Sequence, residues 1–291
     1  MNNLEAITSY FNSMTIYNKK STNTIHKYLS NCLITALDSL EINSLNEITF
    51  ETGYKLVHYY KNSGSKNNST INKILLYLKR IIKHYEINSS FLKFKLLPIY
   101  TNGFKRLYKN DLKAIINYVK VMNFSKNSLV YKTMVLLLLD SGIRISELLN
   151  IKISNIDLDM NDLKIYLEET KTGKQRYAPF SSFSYSYIKD LINLDPKRDY
   201  LFINVLKNRR LNKNDVRLFY KRLSKKLHID RIHSHRFRKT FASVLVENGM
   251  TIETLQNLIG HSRVSTTMLY VQFKESKALR EYKNFNDWGL N

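Results

Sequence analysis

The sequence predicts a mainly α protein with a small β-sheet (α+β) in two domains, and three observations carry that expectation. Apolar residues recur at spacings of three and four through much of the 291-residue chain, as a buried helix face requires. One stretch, Leu163-Lys164-Ile165-Tyr166-Leu167-Glu168, alternates instead with the period of a strand. Between residues 88 and 109 the helical pattern lapses, and Pro98 and Gly103 punctuate a basic segment that reads as a linker.

Taken in order, residues 1–87 read as helices joined by short polar turns, without a strand. Thr24 to Leu40, Phe50 to Lys61 and Asn72 to Tyr85 each carry the helical spacing, as in Ile74, Leu78, Ile81 and Ile82. Ser63-Gly64-Ser65-Lys66-Asn67-Asn68-Ser69 breaks the last two apart. Lys19, Lys20, Lys61, Lys66, Lys73, Lys79, Arg80 and Lys83 give this domain a basic surface, read equally as a solvated face or a DNA face.

The second domain, 110–291, opens with a helix near Asp111 to Met122 and a second from about Ser128 through Met134-Val135-Leu136-Leu137-Leu138-Leu139 to Gly142. There Gly142-Ile143-Arg144-Ile145-Ser146-Glu147 reads as a glycine turn presenting Arg144, with Glu147 placed to hold it by a charge-assisted contact. Asp157 to Pro179 reads as strands returning through Lys171-Thr172-Gly173-Lys174. Further helices follow over 181–228, including Asn214 to Lys226 with its basic face of Arg217, Lys221, Arg222, Lys225 and Lys226.

Charge and composition narrow the function. The formal net charge of +22, from 46 Lys and Arg against 24 Asp and Glu, favours a polyanion as partner. Cys32 is the single cysteine, which excludes an internal disulfide and a thiolate metal cluster. The amino terminus lacks a basic and apolar leader, and the run from Met134 to Leu139 is too short to span a bilayer. A soluble cytoplasmic protein without a membrane partner is expected.

The densest chemistry lies between His235 and Tyr270. His235-Arg236-Phe237-Arg238-Lys239-Thr240-Phe241-Ala242 places His235 and Arg238 three apart on a helix, with Phe237, Phe241 and Leu245 on the packing side. Gly249 reads as the C-cap, Thr251 and Glu253 open a short helix, and Gly260 closes it, leaving His261 just past its end. Tyr270 follows nine positions on.

His-x-x-Arg-Lys-Thr-Phe-Ala, Leu-Ile-Gly-His-Ser and Ser-Thr-Thr-x-x-Tyr together resemble the signature of the tyrosine recombinases, or phage integrase family. Ser141 to Leu149 is similar to the family's first arginine box, and Thr170 to Lys174 to its lysine turn. His233 and Arg236 also satisfy His-x-x-Arg, but the Lys-Thr-Phe-Ala after Arg238 sets the register on His235 and Arg238.

The resemblance covers 110–275 well and the first hundred residues loosely, where it implies a core-binding domain. It implies a site-specific recombinase that cuts and rejoins DNA through a 3'-phosphotyrosine, for integration and excision or for dimer resolution. Arg144, Arg238 and His261 would hold the phosphate, Tyr270 would attack it, and His235 would assist proton transfer from the phenol. Lys171, with Lys174 as its rival, would protonate the leaving oxygen; Glu147 would support Arg144.

No metal or cofactor is expected, because the phosphotyrosine keeps the energy of the broken bond. Double-stranded DNA is the partner, with a tetramer on paired sites working through a Holliday junction, a monomer when free, an accessory protein in addition, and a nucleoid location. The tail from about 273, with Tyr282, Phe285 and Trp288, would dock onto the next protomer. The competing functions are a catalytically silent DNA-binding regulator and a nicking and resealing enzyme of the type IB topoisomerase kind.

Overall fold

Asparagine and threonine caps start three α-helices of the first unit. In the computed structural model, which describes residues 2–17, 20–99, 106–123, 125, 127–168 and 175–260, the Asn2 side chain accepts the amide of Leu4 and opens α1 (Asn3–Thr15). Thr49 opens α3 (Phe50–Asn62), and Asn67 opens α4 (Asn68–His84) by accepting the amide of Thr70. With α2 (Lys20–Ser39) these helices enclose one core. In α4, Ile71, Ile74, Leu75, Leu78, Ile81 and Ile82 are all fully buried, so the apolar spacing becomes the packing face.

The chain divides into two units, Met1–Asn102 and Gly103–Asn291, with the division inside the 88–109 stretch that the sequence reads as a linker. The first part of that stretch packs on the first unit. Phe91 and Phe94 are buried in the first core, and Phe94 lies so close to Gly53 that a Cβ there would stand 2.3 Å from its ring. Asn72 exchanges two hydrogen bonds with Leu97, of 2.8 and 2.9 Å. Lys79 donates to the carbonyls of Leu92 and Phe94 at 2.7 and 2.6 Å, so its ammonium holds this segment and is not part of a free basic surface.

The second unit is built around α6 (Ser128–Ser141), which is apolar on nearly every side and buried accordingly. Against it pack α5 (Lys109–Val121), α8 (Ser182–Asn193) and α10 (Ser234–Glu247). A short α7 (Ile145–Leu148) precedes an antiparallel sheet, β1 (Ile156–Asp157), β2 (Lys164–Leu167) and β3 (Arg176–Pro179), in which Ile165 faces Ala178 and Leu167 faces Arg176. A two-residue pair, β4 (Ile203–Asn204) and β5 (Arg209–Arg210), was not anticipated; strands this short carry no readable alternation.

The unit then continues with α9 (Lys213–Leu227) and, after α10, with α11 (Ile252–Ile259). On α9, Val216, Phe219, Tyr220 and Leu223 are buried while Arg217, Lys221, Arg222, Lys225 and Lys226 stand exposed. Ala242 and Val246 of α10 meet Leu255 and Ile259 of α11 in a small separate cluster, which fixes the end of α11 beside α10. Cys32 is half-buried.

Candidate active site

Two turns in the left-handed region build the site. Gly142 ends α6 at φ +60, and the Phe241 ring of α10 packs so closely that a Cβ on Gly142 would lie 2.2 Å away. Only glycine fits both the backbone and the space. Directly after it, Arg144 leads into α7, where its amide donates to Glu147 Oε2 at 2.9 Å. Its guanidinium donates through Nη1 to Glu147 Oε1 at 2.7 Å and through Nη2 to the Gly260 carbonyl at 2.8 Å.

Glu147 is only 2 % exposed, so this is a buried pair and not the usual solvated ion pair of an Arg-x-x-Glu turn. Its second oxygen is held by Arg176 Nη2 at 2.8 Å. The sequence marks Arg176 only as part of a returning strand. Strand alternation gave no signal for it, because its partners arrive from α7 and α11.

Arg238 differs from the expected picture as well. It is 1 % exposed, with Nη1 donating to the Gly142 carbonyl at 2.7 Å and Nη2 to that of Ile259. Arg238 therefore points into the interior, braced on the two turns that end α6 and α11, while His235 one turn earlier on the same face stands exposed. Burial of the guanidinium is tolerated because charge-assisted bonds replace its lost water. Arg236 goes elsewhere: it donates to the carbonyls of Asp230 and Arg106, and lies 3.9 Å from Asp111. Of the two His-x-x-Arg registers, only the one ending at Arg238 meets Arg144 at the same helix end.

The α11 terminus is thus received by three arginines on three successive carbonyls: Arg176 on Leu258 at 2.8 Å, Arg238 on Ile259, and Arg144 on Gly260. A helix C-terminus carries partial negative charge and unpaired carbonyls, which cations satisfy. Gly260 turns the chain out at φ +66 toward residue 261. Lys171, Lys174, His261 and Tyr270, and the tail from 273, lie outside the described residues.

The sequence model of the phage integrase family matches residues 105–277. The chain belongs to that family. It is a tyrosine recombinase, 50% identical over 291 residues, all of both chains, to a probable integrase/recombinase of Acholeplasma phage L2. It is also 31% identical to the tyrosine recombinase XerC of Staphylococcus epidermidis over 183 residues, 61% of this chain and 60% of that one. The fold is similar to that of the Tn1549 transposon integrase solved with circular intermediate DNA, with a TM-score of 0.79 over 97% of this chain and 99% of that one, at 20% identity.

In the recombinase His235 is an exposed residue, yet its pKa is pushed down to about 4. Packing strips water from the ring, and Lys239, Arg238, His233 and Arg144 add positive charge around it. The imidazole is therefore neutral at pH 7 and able to accept a proton. Tyr220, by contrast, is a poor nucleophile, because burial raises its phenol further above the ordinary value.

The sign of the His235 shift gives a stability prediction. Below about 6.5 the unfolded chain protonates this residue and the folded chain does not, so stability is full above pH 6.5 and falls as the pH drops toward about 4. His235→Gln is expected to remove this component of the acid-side decline in urea midpoints. An identical pH dependence in the two proteins would mean that His235 is not held neutral.

Proposed function

We propose that the recombinase cuts and rejoins double-stranded DNA at specific sites through a 3'-phosphotyrosine on Tyr270, serving integration and excision or dimer resolution. One observation carries this reading: Arg144 and Arg238, distant in sequence, meet at the end of α11 with a buried carboxylate holding the first of them. Attack on a phosphodiester places negative charge on its non-bridging oxygens, and two permanently charged, pre-placed guanidiniums suit that charge. Their N–H groups now serve carbonyls, so a phosphate would enter as a competing and more strongly charged acceptor.

The remaining roles follow the family pattern. His261 adds a donor, Lys171 or Lys174 protonates the leaving 5' oxygen, and His235 takes the phenol proton. A phosphate between Arg144 and Arg238 offsets the charge that depresses His235, which raises its pKa and makes it a better base when DNA is in place. The exposed cations of α9 supply backbone contacts to DNA. Four protomers on two sites would pass through a Holliday junction, each docking its tail on a neighbour, with an accessory protein where assembly needs one. A cytoplasmic, nucleoid-bound location follows from that substrate. Neither metal nor cofactor enters the chemistry.

Strand exchange tests the reading. Two differently labelled copies of the duplex that the protein selects from a randomised library are incubated with it in EDTA. Recombinant duplexes joining arms of both labels are expected. Relaxation of supercoils without exchanged arms would point to nicking and resealing, and tight binding without any cleavage to a silent regulator.

A further inference from the structure

The buried carboxylate at the site answers to two arginines, and the family pattern assigns a role to only one of them. Arg176 opens β3 with a side chain 10 % exposed. It donates to Glu147 Oε2 at 2.8 Å and to the Leu258 carbonyl at 2.8 Å. Its aliphatic and Nε portion lies against Gly260, where an added Cβ would come within 2.7 Å of Nε and 2.9 Å of Cδ. One side chain thus touches the carboxylate that orients Arg144, the last turn of α11, and the glycine that releases the chain toward residue 261.

We propose that Arg176 is a positioning residue for strand cleavage, fixing Glu147, and through it Arg144, in register with the end of α11. The inference rests on the function proposed above. Three features separate it from ordinary burial of a strand residue. A buried guanidinium has no packing advantage over an apolar side chain and loses hydration, so its pairing is the feature to explain. Its two bonds run to two different elements, α7 and α11, and not to its own sheet. Arg144 holds both oxygens of Glu147, Oε1 through its guanidinium and Oε2 through its amide, and Arg176 joins on Oε2 from another element, so without Arg176 the Glu147–Arg144 pair loses a tie to the end of α11 and can shift as a unit.

The expected consequence is kinetic. Misplacing a phosphate-binding group by about 1 Å costs on the order of 100-fold in rate while leaving most of the DNA contact surface intact. Arg176→Met keeps an unbranched stem about as long as the arginine chain to Nε and loses both bonds; Arg176→Lys keeps the charge and can make one of them.

The test uses the full chain and a nicked form of the library-selected duplex, so that cleavage traps the covalent adduct. The single-turnover rate constant, the final amount of adduct, affinity for the intact duplex and the melting temperature are measured for wild type and both variants. Arg176→Met is expected to cleave about 100-fold more slowly to the same final amount, with affinity within about threefold of wild type. Arg176→Lys should lie between the two.

A wild-type rate constant in Arg176→Met would overturn the inference, as would a smaller final amount at an unchanged rate, since that describes partial unfolding. Should Arg176→Met fail to fold, Arg176→Lys decides: an unchanged rate refutes the positioning role and a reduced rate at full amplitude supports it. Wild-type protein that forms no adduct would sink the reading of the site and the inference with it. Wild-type cleavage alongside an unaffected Arg176→Met sinks the inference alone.

Discussion

Tyr270→Phe is expected to abolish covalent attachment to DNA while leaving affinity within about twofold of wild type. Removing a nucleophile costs at least about 10⁴-fold when no other group can take its place. The only atom lost is the phenolic oxygen, which contributes through bond formation and little to holding a long, charged ligand. On the nicked library-selected duplex in EDTA, a denaturing gel should show a slow-migrating adduct for wild type and none for the variant. An undiminished adduct in Tyr270→Phe would transfer the role to another residue. Tyr220 is a weak candidate for it, since it is buried and its phenol pKa is raised.

Arg238→Lys is expected to show the second-largest effect, on two readouts at once. A single ammonium cannot reproduce a fork that spans the Gly142 and Ile259 carbonyls and still presents charge to a phosphate. Loss of one preorganised donor to a developing oxyanion costs about 10²- to 10³-fold, so the cleavage rate should fall by that amount. Because one buried carbonyl is stranded, unfolding in urea should also show a loss of about 1–3 kcal/mol. Arg144→Lys offers the comparison. Its side chain is 20 % exposed, so water can reach what the lysine leaves unmet, and a similar rate loss should come with a smaller stability loss. Equal stability losses in the two variants would contradict the burial argument for Arg238.

The difference between these two arginines shows where sequence reading succeeds and where it stops. His235-x-x-Arg238, the glycine before Arg144 and Gly260 are local patterns, and each became a local structure: a helix face, a left-handed C-cap, a second left-handed C-cap. The long apolar run of α6 became the buried centre of its unit for the same reason. Arg176 was not legible, because its significance comes from Glu147 and Leu258, which approach it only through tertiary packing. The burial of Arg238 was hidden likewise: a residue three positions from His235 on a helix shares its face, yet whether that face meets solvent or another helix end is decided by α6 and α11.

The packing of the first part of the 88–109 stretch was hidden for a similar reason. Proline, lysines and a lapse in helical spacing read as an exposed connection, but Phe91 and Phe94 carry apolar surface that the first core takes up through a single 3-10 turn, Ser90–Lys93, and the residue that caps it. Lys79 then contributes two bonds to hold that segment, a use of lysine that a count of charges cannot distinguish from a DNA contact.

The nucleophile is tested most directly by mass spectrometry of the trapped adduct. The wild-type complex formed in EDTA is digested with nuclease and protease, and the peptide carrying residual nucleotide is sequenced by fragmentation. The expected result is a 3'-phosphonucleotide on Tyr270, in a peptide strongly reduced at a fixed short time when Arg144 or Arg238 has been replaced. A nucleotide on any other residue, or an adduct that forms undiminished without those arginines, would contradict phosphotyrosine chemistry at this site.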